Sequence, residues 1–453
     1  MSISTLPPDL TRLLCDVLVV GGGIGGLTAA RSAMEAGARV ALIEKAPGVG
    51  GSAAASGGQV WCAKDVETWL QVQPGGDPAL GRALIDAYGE GVAWLPSQGV
   101  PVTPVLDQVP YRFARTVYQL EPDARGAMDA LAAGLVAGGG RIVLLSSLGQ
   151  LHLTPAGAIA GATVRGPEGL FLMEAASVVL ATGGFQASAE MRARYLGRWA
   201  DRIVVRSNPY STGDGLSAAT RVGAGTAGVF SRFYGHMLPA PPARVGLHNF
   251  ASIKPTFSEY AVFLNLNGCR FDDEFLGDEV TVHAAVHQPE AVVVLVYDEG
   301  VRLRHAVPPP GSPPIRDRLR NIQMAGGEII TAVTLSELTA LMAAGWGINP
   351  RALTTLDRYN EVCRGGDTGL LDAPRSGGLE ALETPPFYAI RLLPGTTFSY
   401  GGIRINPILR AIRKSSRKPQ GIRSSGAFKV PLIVSGITCS NGRPDHRKRN
   451  GMP

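Results

Sequence analysis

Six residues, GGGIGG at 21–26, limit the fold of this chain more than any other feature of its sequence. They follow the short apolar run DVLVV at 16–20 and lead into residues 24–36, which have helical composition; RVALI at 39–43 then reads as a second strand. Strand, helix and strand within about 30 residues make a βαβ unit. Gly21, Gly23 and Gly26 have the G-x-G-x-x-G spacing. The first glycine permits a tight turn, the second lets the backbone approach a pyrophosphate, and the third lets the helix pack close to the strand. The helix start, with Ile24 and Gly25, then turns its free N–H groups and positive dipole end toward phosphate. Glu44 closes the second strand 18 residues beyond Gly26, where an acid takes the ribose hydroxyls of a bound dinucleotide. A merely structural glycine turn would not require strand, helix and acid in these places.

Two more glycine pairs follow, in GGS at 50–52 and SGG at 56–58. A nicotinamide-binding fold does not need them. They extend a backbone-lined groove beneath the pyrophosphate and point to FAD; the alternative is a flexible glycine loop. ATGGF at 181–185 ends another apolar strand, and NPYSTGDG at 208–215 precedes an alanine-rich helix that ends at GAG, 223–225. The candidate cofactor contacts are therefore Gly21, Gly23, Ile24, Gly25, Gly26, Glu44, Lys45, Gly51, Ser52, Ser56, Gly57, Gly58, Ala181, Thr182, Gly183, Gly184 and Asp214.

Between these motifs, residues 60–137 read as mostly helical, with turns at 74–76 and Pro101. Strands are expected at 142–145, 158–164, 169–174 and 177–181, the middle two joined as a hairpin across 166–169. The character changes near residue 235. Strands at 261–265 and 291–297 and helices at 335–345 and 353–362 suggest an inserted α+β domain, with an exposed proline-rich loop at 308–314. Strand-like sequence returns at 387–405.

Composition fits a protein wrapped around a cofactor. Glycine supplies 58 of the 453 residues, well above the usual ~7%, with no collagen-like period. Hydrophobic residues at 45% and charged residues at 18% disfavour disorder. Of 43 basic and 37 acidic residues, eleven and one lie in 407–453, which leaves the first 406 residues at −4. The basic character belongs to the tail, so nucleic-acid binding by the body is not expected. No apolar run approaches the ~20 residues of a membrane span, and the N-terminus lacks a secretory pattern. The cysteines, at 15, 62, 269, 363 and 439, form no C-x-x-C pair and read as buried thiols of a reducing compartment. A cytoplasmic location is the expectation.

The segments DVLVVGGGIGGLTAA, IEKAPGVGGSAAASGG, VVLATGGF and STGDGLSAATRVGAG together resemble the fumarate reductase/succinate dehydrogenase flavoprotein family. Within it they are similar to the soluble branch containing 3-ketosteroid Δ1-dehydrogenases and tricarballylate dehydrogenase, as are FLNLNGCRFDDE at 263–274 and PPFYAIRLLPGTTFSYGGIRIN at 385–406. The resemblance runs from about residue 14 to 406. It implies an α/β fold: a Rossmann-like FAD-binding domain over 14–236, interrupted by an α+β capping domain over 237–380 and resumed over 381–406, with the active site in the cleft between them. A non-homologous basic tail, 407–453, would follow. It also implies an oxidoreductase that adds or removes hydrogen across a carbon–carbon bond beside a carbonyl, one carbon exchanging a hydride with flavin N5 and its neighbour a proton with a side chain. The expected partners are a small-molecule carbonyl substrate and an unspecified electron donor or acceptor.

Three departures from that pattern matter. Residues 46–60 contain no histidine, so the covalent histidine link of the membrane-bound members is not expected, and FAD should be held non-covalently. The arginine proton donor that fumarate reductases carry after the stretch matching GCRFDDE is missing from FLGDEVTVH at 275–283. His283 is then a candidate acid or base, or a structural histidine. Tyr234 and His236 fall at the expected domain junction, as substrate contacts or as packing, and Tyr400 precedes the glycine pair at 401–402. Finally, the usual closing segment after Asn406 is replaced by the basic tail, in which only residues 430–436 echo a strand. The alternative function is accordingly a truncated, inactive flavoprotein relic lacking the closing FAD segment.

Overall fold

The apolar run at the start of the chain is one of the two central strands of a buried sheet, and its lack of polar alternation has a direct cause. In the computed structural model, which describes residues 10–105, 117–308, 317–365, 367, 369, 371 and 373–408, both of its faces are covered. Val17 and Val19, with Val40 and Leu42, pack against helices Ile24–Glu35 and Ala124–Ala137 through Leu27, Ala30, Met128, Leu131 and Leu135. Leu18 and Val20, with Ala41 and Ile43, face Leu148, Leu151, Ala162, Val164 and Met173 on the other side. Leu18, Leu42 and Ile43 are wholly buried, each worth roughly 1.5–3 kcal/mol relative to exposure.

The sheet has six strands in the order Arg141–Val143, Val40–Ile43, Arg12–Val20, Gly169–Leu180, Ile159–Gly166 and Ser147–Leu153. The first four are parallel and the last three form an antiparallel meander. The two strands expected at 169–174 and 177–181 are one. Pairing with Arg12–Val20 runs on both sides of the interruption, Leu172 to Ala175 and Ser177 to Leu180, so the ladder carries the less apolar residues between them. Residues 60–137 are also less helical than their composition suggests: Gln59–Val60, Val102–Val105 and Val117–Leu120 form a small antiparallel sheet.

By the pattern of contacts the described chain divides into two compact units, 10–187 with 208–229 and 400–408, and 188–207 with 230–399. The second unit is organised by strand Phe387–Ser399, which pairs antiparallel with Val293–Asp298, Phe233–Pro239 and Ile329–Ala332 and parallel with Val204–Val205. The sequence-based boundary at 381 precedes this strand. Its core joins Val262, Leu264, Val294, Val296 and Ala389 to Leu338, Met342, Leu356 and Tyr359 of helices Leu335–Trp346 and Arg351–Gly365. Thr334 caps the first of these, accepting the Glu337 N–H at 3.1 Å, while the Glu337 carboxylate accepts the N–H of Val333, one residue before the cap, at 3.0 Å. Among the described residues no helix is long and apolar enough to cross a membrane.

The proline loop beyond Pro308, Cys439, the strand echo at 430–436 and the tail from 409 lie outside the described residues. The other four cysteines are free, two buried and two half-buried.

Candidate active site

In the first unit the glycine fingerprint forms the turn between Arg12–Val20 and Ile24–Glu35. Gly21 has φ +106°, and a Cβ there would lie 2.4 Å from the Ala181 carbonyl oxygen. A Cβ on Gly26 would come within 1.8 Å of the Gly21 carbonyl oxygen. Both positions need glycine for packing. Gly23 differs: its φ of −74° suits any residue, and a Cβ there would meet nothing within 4 Å. It opens a helix with no side-chain cap and no acidic residue in its first turn, which leaves a backbone cradle suited to an anion.

The other candidates gather around this turn. Glu44 is buried, and its two oxygens accept the N–H groups of Gly22 at 2.6 Å and Ala46 at 2.7 Å; each keeps a further lone pair for a hydroxyl. Gly50, absent from the expected contacts, donates to the Gly22 carbonyl at 2.7 Å and bridges to Gly23. A Cβ on Gly51 would lie 3.3 Å from Gly23 Cα and 3.7 Å from Asn208 Nδ2, so the second glycine loop and Asn208 join the same wall. Ser52 precedes the turn Ala53–Ala55, and Ser56 Oγ accepts from Gly58 N–H at 3.1 Å. The Gly57 carbonyl accepts from Gln119. Ala181 caps the end of Arg12–Val20 through its N–H to Val20, Thr182 fills the space beside Gly215, and Gly183 sits at φ +71°. The Gly184 carbonyl accepts from Gly213. Lys45 and Asp214 engage each other, Nζ to Oδ2 at 3.0 Å, with Thr212 Oγ1 between them.

The second unit holds a separate polar cluster. Tyr234 and His236 lie on Phe233–Pro239, beside a bulge at which Gly235 approaches the Gly395 carbonyl so closely that a Cβ would be 2.2 Å away; bulges of this kind re-aim neighbouring side chains. His236 is buried, with Nδ1 3.1 Å from both carboxylate oxygens of Asp278 and Nε2 3.3 Å from the Tyr234 hydroxyl. Tyr234 OH is 3.4 Å from Glu279 Oε1, and Lys254 Nζ is 3.1 Å from His236 Nδ1 and 3.7 Å from Asp278 Oδ1. Asp278 and Glu279 open the helix Asp278–Ala285, where its dipole favours negative charge. The buried Arg206 guanidinium stands 5.3 Å from the Tyr234 ring centre and 4.6 Å from that of Phe250.

Burial pulls the His236 pKa down, against the raising influence of Asp278. For Asp278 burial acts upward, but His236, Lys254 and the Met237 N–H outweigh it and hold the carboxyl below its ordinary value. Arg206 is likewise lowered by burial. Arg206 Nε, Ser207 Oγ, Thr396 Oγ1 and Thr397 Oγ1 are buried polar atoms without a hydrogen-bond partner among the described residues; such atoms cluster where a ligand or water completes the bonding. Sequence inspection missed Arg206, Lys254, Asp278 and Glu279. Only the acidic pair after Gly277 carried a local signal, as a helix start.

The structure brings Tyr234 and His236 together but leaves the other two candidates outside this cluster. Tyr400 belongs to the first unit, at the bend before Gly402–Ile403. His283 packs its ring edge-on to Phe233 at 5.1 Å, and its buried Nδ1 has no partner among the described residues. Burial first, then Arg232 and His287, lower its pKa to about 4, so it is neutral near pH 7. Because the folded form takes up this proton only well below the unfolded value, near 6.5, its contribution to stability is complete above pH 6.5 and is lost as the pH falls to about 4. We expect His283→Phe to flatten that part of the stability–pH curve, by no more than about 3 kcal/mol. Unfolding midpoints in urea at pH 4 and 7 test this; equal pH dependence in both proteins would refute it.

The sequence profile of the FAD binding domain family matches residues 16–428. The chain belongs to the FAD binding domain family. The match continues past Asn406, where the resemblance noted above stops. The chain is similar over 94% of its length to an NADH:fumarate oxidoreductase of Klebsiella pneumoniae, at 25% identity, but it spans only 45% of that relative. A 3-oxosteroid 1-dehydrogenase of Mycolicibacterium smegmatis is 24% identical, with 92% of each protein covered. The open conformation of a flavocytochrome c3 fumarate reductase superimposes with a TM-score of 0.66 at 24% identity, covering 88% of this chain and 70% of that one, and so shares its fold. The residues present fit FAD: an open Gly23 at an uncapped helix start suits a pyrophosphate, and Glu44 retains acceptor capacity for ribose.

Proposed function

We propose that this protein is an FAD-dependent oxidoreductase that removes or adds hydrogen across a carbon–carbon bond next to a carbonyl group, with FAD held non-covalently. The observation that carries the reading is the open backbone cradle at Gly23 in a member of the FAD binding domain family. Gly23, Gly25 and Gly26 at the helix start would hold the pyrophosphate, with Gly51 closing the wall, and Glu44 would hold the ribose. When bound, the flavin supplies a hydride acceptor or donor. The relatives named for fumarate and for 3-oxosteroids share that redox chemistry on carbonyl-activated carbon. The match past residue 406 favours a working flavoprotein over an inactive relic.

The chain's own part is to orient a carbonyl, withdraw electron density from it and move a proton. The second unit's cluster has the groups for this: Tyr234, His236 and Lys254 as donors, Arg206 as a fixed cation. Arg206 and Lys254 are matched by Asp278 and Glu279, which leaves no excess positive charge for a di- or tricarboxylate. A neutral ketone is therefore the favoured substrate class.

A visible spectrum of the purified protein, taken after FAD addition and desalting, should keep a flavin band, and denaturation should release all the flavin into solution. With an artificial electron acceptor or donor, a neutral cyclic ketone or enone should react at least tenfold faster than succinate or fumarate. A protein that stays colourless refutes the FAD reading; flavin that stays with the precipitated chain refutes non-covalent binding.

A further inference from the structure

We propose that Asp278, His236 and Tyr234 form a proton relay whose outer member, the Tyr234 hydroxyl, exchanges the proton with the substrate carbon beside the carbonyl. The proposal rests on the oxidoreductase reading and assigns its proton-transfer group. It answers a gap in the sequence: residues 275–283 offer no arginine, and the segment contains Asp278 and Glu279 instead.

The order of the relay follows from what each atom can do. Asp278 is ionised and only accepts hydrogen bonds, and both its oxygens face His236 Nδ1 at 3.1 Å. Nδ1 thus faces an acceptor, Asp278, and a donor, Lys254 Nζ at 3.1 Å, which is also 3.7 Å from Asp278 Oδ1. The relay assigns the hydrogen to Nδ1, shared with Asp278, which leaves Nε2 as the acceptor and turns the Lys254 ammonium to the carboxylate. The Met237 N–H, at 3.1 Å from Oδ2, fixes the carboxylate further. Nε2 faces the Tyr234 hydroxyl at 3.3 Å, with Glu279 Oε1 3.5 Å away as the competing acidic neighbour. Asp278 and His236 are buried, whereas Tyr234 is only half-buried, so the phenol is the member of the three that a substrate can reach. Arg206, over the Tyr234 ring, stabilises negative charge on that ring.

The step balances without an oxidant. The Tyr234 proton passes to His236 Nε2, giving an imidazolium held by Asp278 and a phenolate beside Arg206. The phenolate oxygen then takes the proton from the carbon next to the carbonyl: the C–H bond breaks, the O–H bond forms, and the electron pair moves to the carbonyl oxygen as an enolate. The reverse sequence delivers a proton to carbon. Tyr234 is the catalytic residue in this scheme; His236 and Asp278 are positioning residues that act through it, in the manner of an oriented imidazole and its carboxylate.

Two measurements test the relay separately from the redox reaction. In the first, protein labelled with 15N-histidine is observed by NMR, the His236 signals being identified by their loss in His236→Gln. Wild type should show a neutral ring at pH 7 with Nδ1 protonated and Nε2 bare, and Asp278→Asn should abolish that preference. A wild-type ring protonated on Nε2 overturns the relay. In the second, FAD-loaded protein without any electron acceptor is incubated in D2O with cyclohexanone, and deuterium uptake at the carbons beside the carbonyl is followed. Wild type should accelerate uptake; Tyr234→Phe should slow it at least a hundredfold and Asp278→Asn at least tenfold, with Asp278→Glu recovering part, while thermal midpoint and ketone affinity hold. No acceleration by wild type, or equal rates in Tyr234→Phe, overturns the proposal. Retained flavin with acceptor-dependent turnover would leave the oxidoreductase reading standing in that event, and a colourless protein with the Nδ1-protonated ring intact would do the converse.

Discussion

Gly23→Ala should leave the protein's stability unchanged and weaken its hold on FAD about a hundredfold, whereas Gly26→Ala should destabilise the fold severely. The two residues stand three apart in one motif, but the space around them differs. A methyl on Gly26 would be 1.8 Å from the Gly21 carbonyl oxygen and 3.3 Å from Ala181 Cβ. Neither is the end of a flexible side chain, so the helix Ile24–Glu35 would have to lift off the strand that it covers. That helix buries Ile24, Leu27, Ala30 and Ala33, so the displacement should cost about 3 kcal/mol or more. A methyl on Gly23 meets nothing within 4 Å and needs no change of backbone, so stability should move by less than about 0.5 kcal/mol. It would nonetheless fill the space through which the pyrophosphate reaches the N–H groups of the helix start. We expect FAD affinity to fall about a hundredfold, or roughly 2.7 kcal/mol. Thermal unfolding of the apoproteins and flavin retention after desalting distinguish the two effects. A Gly23→Ala protein as yellow as wild type would remove that glycine from the cofactor site, and a Gly26→Ala protein melting with wild type would contradict the packing argument.

The second large effect is expected at Glu274, in the second unit. Its carboxylate is fully buried; it accepts from Arg270 Nε at 3.0 Å and Arg270 NH2 at 2.5 Å, and from the Phe263 N–H at 3.0 Å. Arg375 NH1, also buried, is 3.7 Å away, and the Tyr359 ring lies beside both guanidinium groups. Arg375 has its own acceptors in the carbonyls of Glu259, Ala261, Gly377 and Gly378, but Arg270 relies on Glu274 for two of its bonds. Glu274→Ala removes the one carboxylate between two buried cations and should cost about 3–5 kcal/mol. Glu274→Gln keeps the shape and one acceptor and should cost less. The double change Arg270→Met with Glu274→Met should recover part of the loss, because it removes the uncompensated charge along with its partner. Urea unfolding with an unchanged slope provides the comparison. A Glu274→Ala protein within 1 kcal/mol of wild type would show that water reaches Arg270. Flavin binding should survive in Glu274→Gln, since this ion pair serves the fold.

The sequence by itself determined the βαβ unit, the two glycines that packing demands and the acid that ends the second strand. Each is written within about thirty residues, where composition and spacing are themselves informative: an apolar run, a turn at φ +106° that only glycine takes readily, and a helix start without a cap, although most of the residues that cover the run, and those that crowd Gly21, lie more than a hundred positions further on. It also pointed to Tyr234 and His236, two positions apart on one strand. What lay beyond it was the company these two keep. Arg206, Lys254, Asp278 and Glu279 come from segments up to 73 positions apart, and nothing local distinguishes a buried arginine or lysine from a solvated one. Their meeting is decided by which strands pair with Phe387–Ser399, a set of long-range ladders fixed only when the whole unit packs. The same packing separated His283 from His236. Both are single histidines in the sequence, but one ring meets a carboxylate and the other the edge of Phe233, and only the folded unit shows that difference.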